Sequence, residues 1–288
     1  MKYTVRPCIS DYNTNKQIIE DLIKEYPFLD VQLIGRTGLG RGIFSLSLGK
    51  NKNNAIYIGS VRGSDGLSCL ILYLFIERLC YAVKNNHNLA SVNVRKALSM
   101  SGVTVIPCLN PDGREIFLHG SEGAGAMGSF VSSFFNTEKP QWDANAMGVD
   151  INRNFIFRDS IKEAVHSPAP SLFRGDYPES EAETKAFTRL CRLRNFRRCL
   201  ELFSGEDGIF FRSEEDEPAS SQMMAKIISC SCSYPLSTAK STGQTGSMDW
   251  FIKEFRRPAF SLGTQGDISG LYSVYGRLEE ALTVFALL

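Results

Sequence analysis

The chain has 288 residues, 43% of them hydrophobic and 22% charged, and its 32 Lys and Arg nearly balance 31 Asp and Glu. This composition is typical of a folded globular protein and excludes a disordered chain. The formal net charge of +1 gives no indication of a protein that binds nucleic acid or a membrane surface.

Hydrophobic periodicity and turn residues predict helices that alternate with strands. The predicted helices are 13–26, 67–83, 180–193, 220–231, 247–255 and 273–287. The predicted strands are 31–36, 42–49, 55–61, 103–109, 199–204, 209–212 and 258–263. We expect a capping box at Ser180 to open the third helix, and a Gly- and Ser-rich loop from His119 to about Gln141 to border a site. This order favours an α/β fold around a largely parallel sheet, and without repeats or composition breaks we expect a single domain over 1–288.

The longest apolar run, 67–83, is short for a membrane span and is interrupted by Glu77 and Arg78, so we expect a buried helix. The first residues contain no apolar run typical of a signal peptide, which predicts a cytoplasmic protein. The 8 cysteines include no C-x-x-C pair, and in that compartment we expect them to be reduced thiols.

Four short motifs contain residues typical of a functional site. In chain order they are Asn-Pro-Asp-Gly at 110–113, Asp-Ile-Asn-Arg-Asn-Phe at 150–155, Tyr-Pro-Glu-Ser-Glu-Ala-Glu-Thr at 177–184 and Met-Asp-Trp at 248–250. We expect the first motif to form a turn that ends the preceding strand. Together, in this order, they resemble the zinc carboxypeptidase family of carboxypeptidase A-like metallopeptidases, and most closely its bacterial members that cut cell-wall peptides. The resemblance runs from about Ile34 to the C-terminus. It implies a three-layer α/β/α sandwich with a mixed, largely parallel central sheet.

The resemblance also implies a zinc site and a way of holding the substrate. In the family, a His and a Glu three residues apart and a later His bind zinc, which activates water, and a Glu on a later strand accepts the water's proton. An Asn-Arg pair holds the terminal carboxylate of the substrate. That pair is retained here as Asn152 and Arg153.

The positions that the resemblance assigns to zinc are not retained. Arg62 stands in place of the first His, Asp65 in place of the Glu, Phe203 in place of the later His and Gly263 in place of the general base. Arginine has no lone pair to give to a metal, phenylalanine has no donor atom, and glycine cannot accept a proton. We therefore expect neither bound zinc nor another cofactor. Two further matches place Ser241 where a mobile Tyr is expected and find no Arg within 142–147.

Two interpretations remain open for several of these residues. Arg62 either attracts an anion together with Arg153 or forms a salt bridge that closes the pocket, with Asp65, Glu206 or Asp207 as candidate partners. Asp65 is expected to cap the following helix. Asn152 and Arg153 either bind a carboxylate, which a guanidinium fork matches, or remain as structural hydrogen-bonding groups.

The sequence thus predicts a catalytically inactive relative of zinc carboxypeptidases. Its substrate-binding residues would be Asn152, Arg153 and Arg62, and its ligand a peptide end or cell-wall stem peptide with a free carboxylate, with no nucleic-acid or membrane partner. One alternative is an active hydrolase whose site has been rebuilt. Another is an interaction protein whose pocket is closed. No Gly-x-Ser-x-Gly motif supports a serine hydrolase.

Overall fold

The computed structural model describes residues 3–50, 54–135, 141–155, 165–211, 220–238 and 246–287. The α-helices described there are α1 (Tyr12–Glu25), α2 (Leu67–Asn85), α3 (Val94–Leu98), α4 (Pro111–His119), α5 (Gly128–Ser132), α6 (Ala182–Arg194), α7 (Ser221–Cys232), α8 (Ser247–Phe255) and α9 (Leu271–Leu287). The strands are β1 (Asp30–Arg36), β2 (Gly42–Gly49), β3 (Ala55–Ile58), β4 (Asn88–Leu89), β5 (Val92–Asn93), β6 (Gly102–Ile106), β7 (Arg198–Ser204), β8 (Gly208–Phe211), β9 (Leu236–Thr238) and β10 (Ala259–Thr264).

Eight of the strands form one mixed sheet in the order β1-β2-β6-β3-β7-β10-β8-β9. The four central strands β6, β3, β7 and β10 run parallel to their neighbours within this group, whereas β1, β2 and β8 add antiparallel pairs on either side. The carboxyl ends of parallel strands meet at one edge of a sheet, where α/β proteins place their sites. The predicted mixed α/β sheet is confirmed.

Helices cover both faces of this sheet. Successive residues of β3 alternate between two apolar clusters: Ala55 and Tyr57 belong to one, and Ile56 and Ile58 to the other. The first cluster includes residues of α1, α2, α7 and α9, and the second includes residues of α6 and α8. The predicted buried helix is α2, whose apolar residues lie mostly in the first cluster. Within the described ranges, no helix has both the length and the apolar character that a membrane crossing requires.

Three local predictions are wrong. The Asn-Pro-Asp-Gly motif does not form a simple turn: Asn110 accepts a hydrogen bond from the Gly113 amide at 2.9 Å and begins α4, with Pro111 in the first turn. The segment from His119 to Gln141 contains a 3₁₀ turn (Gly125–Met127) and α5, and its residues 136–140 lie outside the described ranges.

The capping box is the third. Ser180 does not cap α6, because its hydroxyl contacts the Asn154 amide nitrogen and the Glu181 carboxylate, each at 2.7 Å. Glu181 occupies the N-cap position instead, and its side chain accepts no capping hydrogen bond there.

Candidate functional site

The predicted site lies at the carboxyl ends of β3, β7 and β10. The loop that follows β3 carries Arg62 and Asp65, and it is held by its neighbours. The Asn110 side-chain amide lies 3.2 Å from the Val61 carbonyl oxygen, and the Arg114 guanidinium donates to the carbonyl oxygens of Gly63 and Ser64 at 3.3 and 3.2 Å. A Cβ on Gly63 would lie 2.4 Å from the Gly113 carbonyl oxygen, so this approach needs glycine.

Both oxygens of Asp65 are occupied by hydrogen bonds within the protein. Oδ1 accepts from the Ser68 amide at 3.1 Å and from the Ser204 hydroxyl at 2.5 Å, and Oδ2 accepts from the Ser204 amide at 3.1 Å. The side chain therefore joins the first turn of α2 to the end of β7. The expected helix-capping contact is present, and the two bonds to Ser204 are a second role that the sequence did not reveal. Asp65 is only 5% exposed.

The Phe203 ring lies beside both Arg62 and Gly263. Gly263 pairs with Phe203 in the register of β10 and β7. A Cβ on Gly263 would lie 2.8 Å from the Phe203 ring and 2.2 Å from the Glu206 carbonyl oxygen. The guanidinium carbon of Arg62 lies 5.8 Å from the centroid of the same ring, at the distance of a cation–π contact.

The salt bridge considered for Arg62 is not found. Among the described residues, its guanidinium has no carboxylate within 4.0 Å, so neither Asp65 nor Glu206 nor Asp207 is its partner. Asp65 is held by serine and amide groups, and Asp207 accepts from the Gln265 amide at 2.6 Å. Burial raises the pKa of both Asp150 and Glu201, and the charge of Arg62 opposes that rise.

Asn152 and Arg153 lie in a 3₁₀ turn that Asp150 begins. Asp150 accepts from the Asn152 amide at 3.1 Å and from the Leu172 amide at 3.2 Å. The Arg153 Nε lies 3.5 Å from Asp150 Oδ2, and in the described part of the chain the two Nη atoms of Arg153 have no acceptor. Burial raises the pKa of Asp150, whereas the Leu172 amide and the charges of Arg153 and Arg62 oppose that rise.

The Asn152 side chain is buried, and its Oδ1 has no hydrogen-bond partner among the described residues. A Cβ on Gly246 would lie 2.4 Å from this oxygen and 3.6 Å from Glu201 Oε2. Glycine at this position therefore brings the backbone before α8 close to both side chains. Ser241, the residue at the expected tyrosine position, lies outside the described ranges.

Glu201 is a site residue that the sequence motifs did not single out. It is 6% exposed and accepts a short hydrogen bond from the Ser247 hydroxyl. Burial raises the pKa of Glu201, Ser247 and Arg62 lower it, and the charges of Asp65 and Asp150 add to the rise. One feature of the sequence could have identified Glu201: it is a glutamate among the apolar residues of a central parallel strand. Such strands are buried on both faces, and a buried carboxylate needs a partner.

These side chains form one electrostatic group. The guanidinium groups of Arg62 and Arg153 both lower the pKa of Asp150, so both lie within electrostatic range of that carboxylate. Asp65 and Glu201 add two further carboxylates. The site can therefore donate hydrogen bonds to an anion through two guanidinium groups, although its three carboxylates, when all are ionised, outnumber these two positive charges.

The residues at the predicted zinc positions do not fit a zinc ion. Arg62 carries a positive charge, Phe203 offers a ring, and both Asp65 oxygens already accept hydrogen bonds. In the six described ranges, no three His, Cys, Asp or Glu side chains come together in a way that could hold a metal ion.

Several polar side chains outside this site have structural contacts of their own. His119 lies 3.9 Å from Glu115, and His87 stacks on Tyr81. Near the end of α6, Arg192 pairs with Glu179 and Glu254, each at 2.8 Å. These ion pairs partly neutralise the last turn of α6, which contains Arg192 and Arg194.

Known proteins resemble this chain in sequence and in fold. Residues 16–260 match the family described as zinc carboxypeptidase. The sequence is 27% identical over 285 residues to gamma-D-glutamyl-L-diamino acid endopeptidase 1 of Lysinibacillus sphaericus, and the match covers 96% of this chain and 71% of that protein.

Solved structures share the fold. Bovine thrombin-activatable fibrinolysis inhibitor superposes with a TM-score of 0.76 at 17% identity, and the match covers 97% of both chains. Murein-tripeptide amidase MpaA of Escherichia coli O157 superposes with a TM-score of 0.56 at 18% identity, over 88% of this chain and 91% of that one. At these identities the likeness concerns the fold alone.

Proposed function

Because this chain belongs to the zinc carboxypeptidase family, we propose that it binds the carboxylate end of a peptide without hydrolysing it. The observation that carries this proposal is the packing of Arg62, Phe203 and Gly263 at the positions where the family resemblance expects two metal ligands and a general base. The Phe203 ring fills the space that a side chain at position 263 would need. These residues supply neither a zinc ligand set nor a proton acceptor.

The binding part of the proposal rests on Asn152, Arg153 and Arg62. In the described part of the chain, the Nη atoms of Arg153 and the whole Arg62 guanidinium have no hydrogen-bond acceptor. A partly buried guanidinium with unused donors is a good partner for a planar carboxylate. Each charge-assisted hydrogen bond contributes about 1.5–3 kcal/mol. Two such contacts amount to about 3–6 kcal/mol, which corresponds to dissociation constants from several millimolar to some tens of micromolar, so we expect weak binding.

For the ligand class, we propose cell-wall stem peptides. The Lysinibacillus sphaericus relative is named a gamma-D-glutamyl-L-diamino acid endopeptidase, and the Escherichia coli structural neighbour is named a murein-tripeptide amidase. The cytoplasmic location and the single domain over 1–288 stay predictions. So does the absence of a nucleic-acid or membrane partner.

The binding experiment is calorimetry with two peptides that differ only at the C-terminus, one a free carboxylate and the other an amide. We expect the carboxylate peptide to bind at least about tenfold more tightly, since one charge-assisted contact is worth that factor. Arg153→Ala should remove the preference, and Arg95→Ala, which changes an exposed arginine on α3, should preserve it. Equal affinities for the two peptides, or no binding of either, would refute carboxylate recognition and favour a closed pocket.

The catalytic experiment is separate. Peptide and murein-peptide substrates should show no turnover above that of Arg153→Ala, with or without added zinc. Metal-dependent turnover that disappears in this variant would mean that an active site has been rebuilt from other residues. That result would refute the non-hydrolytic half of the proposal and leave the binding half to the calorimetry.

A further inference from the structure

Helix α7 has one side that the rest of the chain covers. Its four buried residues recur every three or four positions, which is the spacing of a single helix face. They are Ser221, Ala225, Ile228 and Cys232. The last three belong to the first apolar cluster, together with residues of α9 and β8. This side attaches α7 to its neighbours, so a helix that meets only water on its other side should be polar there.

The other side of α7 is also apolar. A second series with the same spacing begins two residues after the first, which at about 100° per residue places it on the opposite side of the helix. It consists of Met223, Ile227 and Cys230, and we call it the outer stripe. Met223 is 64% exposed, Ile227 is 37% exposed and Cys230 is also exposed. Surface helices normally have several charged residues on this side, yet Lys226 is the single charged residue among the 12 of α7.

An open groove lies beside the outer stripe, between α7 and α9. It has a volume of about 320 Å³ and is lined by Lys226, Ile227, Cys230, Ser231 and Glu280. Two residues of opposite charge therefore border the groove. Among the described residues, neither Lys226 nor Glu280 has an ion-pair partner within 4.0 Å. Both charges remain available for a partner that covers the stripe.

The outer stripe and the groove are complementary to a second copy of themselves. A two-fold axis that passes close to Ile227 and perpendicular to α7 places a second α7 antiparallel to the first, and each contact then occurs twice. Met223 of each copy faces Cys230 of the other, because these two residues lie at similar distances on either side of Ile227. Lys226 of each copy reaches the shared groove that Glu280 borders, so the charge on the helix meets an opposite charge.

We propose that α7 and the adjoining groove form the contact between two copies of this chain in a symmetric dimer. The site residues described above lie on other elements than α7 and α9, so this surface is separate from the candidate functional site. A helix of 12 residues is about 18 Å long. A contact of that length buries less than the about 1,600 Å² of a standard stable interface, so the dimer dissociates in the micromolar range. The outer stripe supplies most of the affinity, and the exposed ion pairs mainly fix the antiparallel orientation.

The first test is sedimentation velocity of the full chain from about 1 to 200 µM, with the thiols kept reduced. We expect a reversible equilibrium between monomer and dimer. Ile227→Glu should raise the dissociation constant at least about tenfold, because it places a charge in the apolar centre of the contact. The matched control is Leu193→Glu, which makes the same kind of change at a 73% exposed residue of α6, and its dissociation constant should equal that of the wild type.

Charge exchange tests the orientation. Lys226→Glu should raise the dissociation constant about threefold to tenfold, because each copy then brings two glutamates to the shared groove. The double variant Lys226→Glu with Glu280→Lys should restore the wild-type constant to within about twofold, because it exchanges the two charges and keeps the pairing.

Cross-linking gives an independent measurement of the same geometry. The two Cys230 residues of the dimer would lie about 9 Å apart along the helix axes, so a bis-maleimide with a spacer of about 10 Å should join them. Cys230→Ser should give no such product. Ile227→Glu keeps the exposed thiol and should lose the product at concentrations where the wild type is a dimer, which separates a specific contact from random collision.

Several results would overturn the proposal. A wild-type chain that is a monomer at 200 µM has no such contact. A dimer that persists unchanged in Ile227→Glu uses another surface, and a dimer without the Cys230 cross-link has another geometry. A double charge variant as weak as Lys226→Glu would remove the Lys226–Glu280 pairing. Monomeric wild-type protein that binds phosphatidylglycerol vesicles, when Ile227→Glu does not, would assign the outer stripe to a membrane surface instead. Circular dichroism of each variant verifies that it is folded.

Discussion

Replacing Glu183 by glutamine should make the protein more stable, by an amount that grows with pH. Glu183 lies in the first turn of α6 and is 1% exposed. Its Oε2 accepts from the Asn145 side-chain amide at 3.4 Å, and its Oε1 has no hydrogen-bond partner among the described residues. Burial is the main cause that raises its pKa from 4.5 to about 8, and the charges of Asp112 and Glu181 add to the rise.

The magnitude follows from linkage between proton binding and folding. An acid whose pKa is higher in the folded state favours folding only while it is protonated, so stability is lost as pH rises from the unfolded pKa to the folded pKa. For Glu183 this window runs from about 4.5 to about 8. At about 1.4 kcal/mol per pH unit, the loss is about 3 kcal/mol at pH 7 and at most about 5 kcal/mol at pH 9. Glutamine keeps the shape of the side chain and carries no charge at any of these pH values.

The assay is urea unfolding of wild type and Glu183→Gln at pH 5, 7 and 9. The difference in free energy of unfolding should be below about 1 kcal/mol at pH 5 and should increase to several kcal/mol at pH 9. Glu280→Gln makes the same chemical change at an exposed position on α9, and its difference should stay within about 0.5 kcal/mol throughout. A Glu183→Gln difference that does not change between pH 5 and 9 would refute the reasoning, because it would mean that burial leaves the pKa of Glu183 the same in the folded and unfolded protein.

Three further predictions concern the site. Gly263→Glu should lower the free energy of unfolding by about 1–3 kcal/mol or more, because the new side chain would be overpacked against Phe203 and the Glu206 carbonyl oxygen. Gly276→Glu should not lower it, because a Cβ there meets open space. Equal urea midpoints for the two variants would contradict this prediction. Binding of a carboxylate peptide should strengthen as pH falls from 8 to 5.5. Because the pKa values of Asp150 and Glu201 are raised, these carboxylates become protonated at a higher pH than usual and then repel the peptide carboxylate less. Calorimetry that shows weaker binding at the lower pH would contradict this prediction. Incubation with a chelator should leave the melting temperature of purified protein unchanged, since the zinc positions hold no ligand set, and a fall reversed by added zinc would show that a metal is bound.

Much of the fold could be predicted because its strands and helices have strong periodic patterns. α2, β2 and α8 begin at the predicted residues, since long apolar runs with clear boundaries leave little choice. The sequence did not predict α4, because Asn-Pro-Asp-Gly is typical both of a turn and of the beginning of a helix. Proline fits the first turn of a helix as well as it fits a β-turn. The choice depends on Val61 and Asp143, whose carbonyl oxygens accept from the Asn110 amide and which are distant in sequence.

The sequence indicated candidate site residues but not their contacts. The family resemblance assigned Arg62, Phe203 and Gly263 to catalytic positions, and the Phe203 ring lies beside the other two. The partners depend on the register between β7 and β10 and on the loop after β3, which no local pattern specifies. Asp65 is bonded to Ser204 for this reason, although the sequence indicated only its role at the start of α2. Arg62 likewise acts on Asp150 and Glu201 rather than on the acids that are near it in the motifs.

The substitutions at the site compensate for one another physically. A phenylalanine at position 203 needs volume, and the missing side chain of Gly263 provides it, because a Cβ at position 263 would lie only 2.8 Å from the ring. The ring in turn offers its face to the Arg62 guanidinium, and that charge favours the ionised forms of Asp150 and Glu201, which burial disfavours. Restoring a single family residue would therefore break a contact without recreating a ligand set: a glutamate at 263 meets the ring, and a histidine at 62 removes the cation that acts on two buried carboxylates. A return to metal chemistry would need simultaneous changes at three positions on separate elements. This coupling is the physical argument behind the proposed non-hydrolytic role, and the calorimetry and turnover experiments test that proposal.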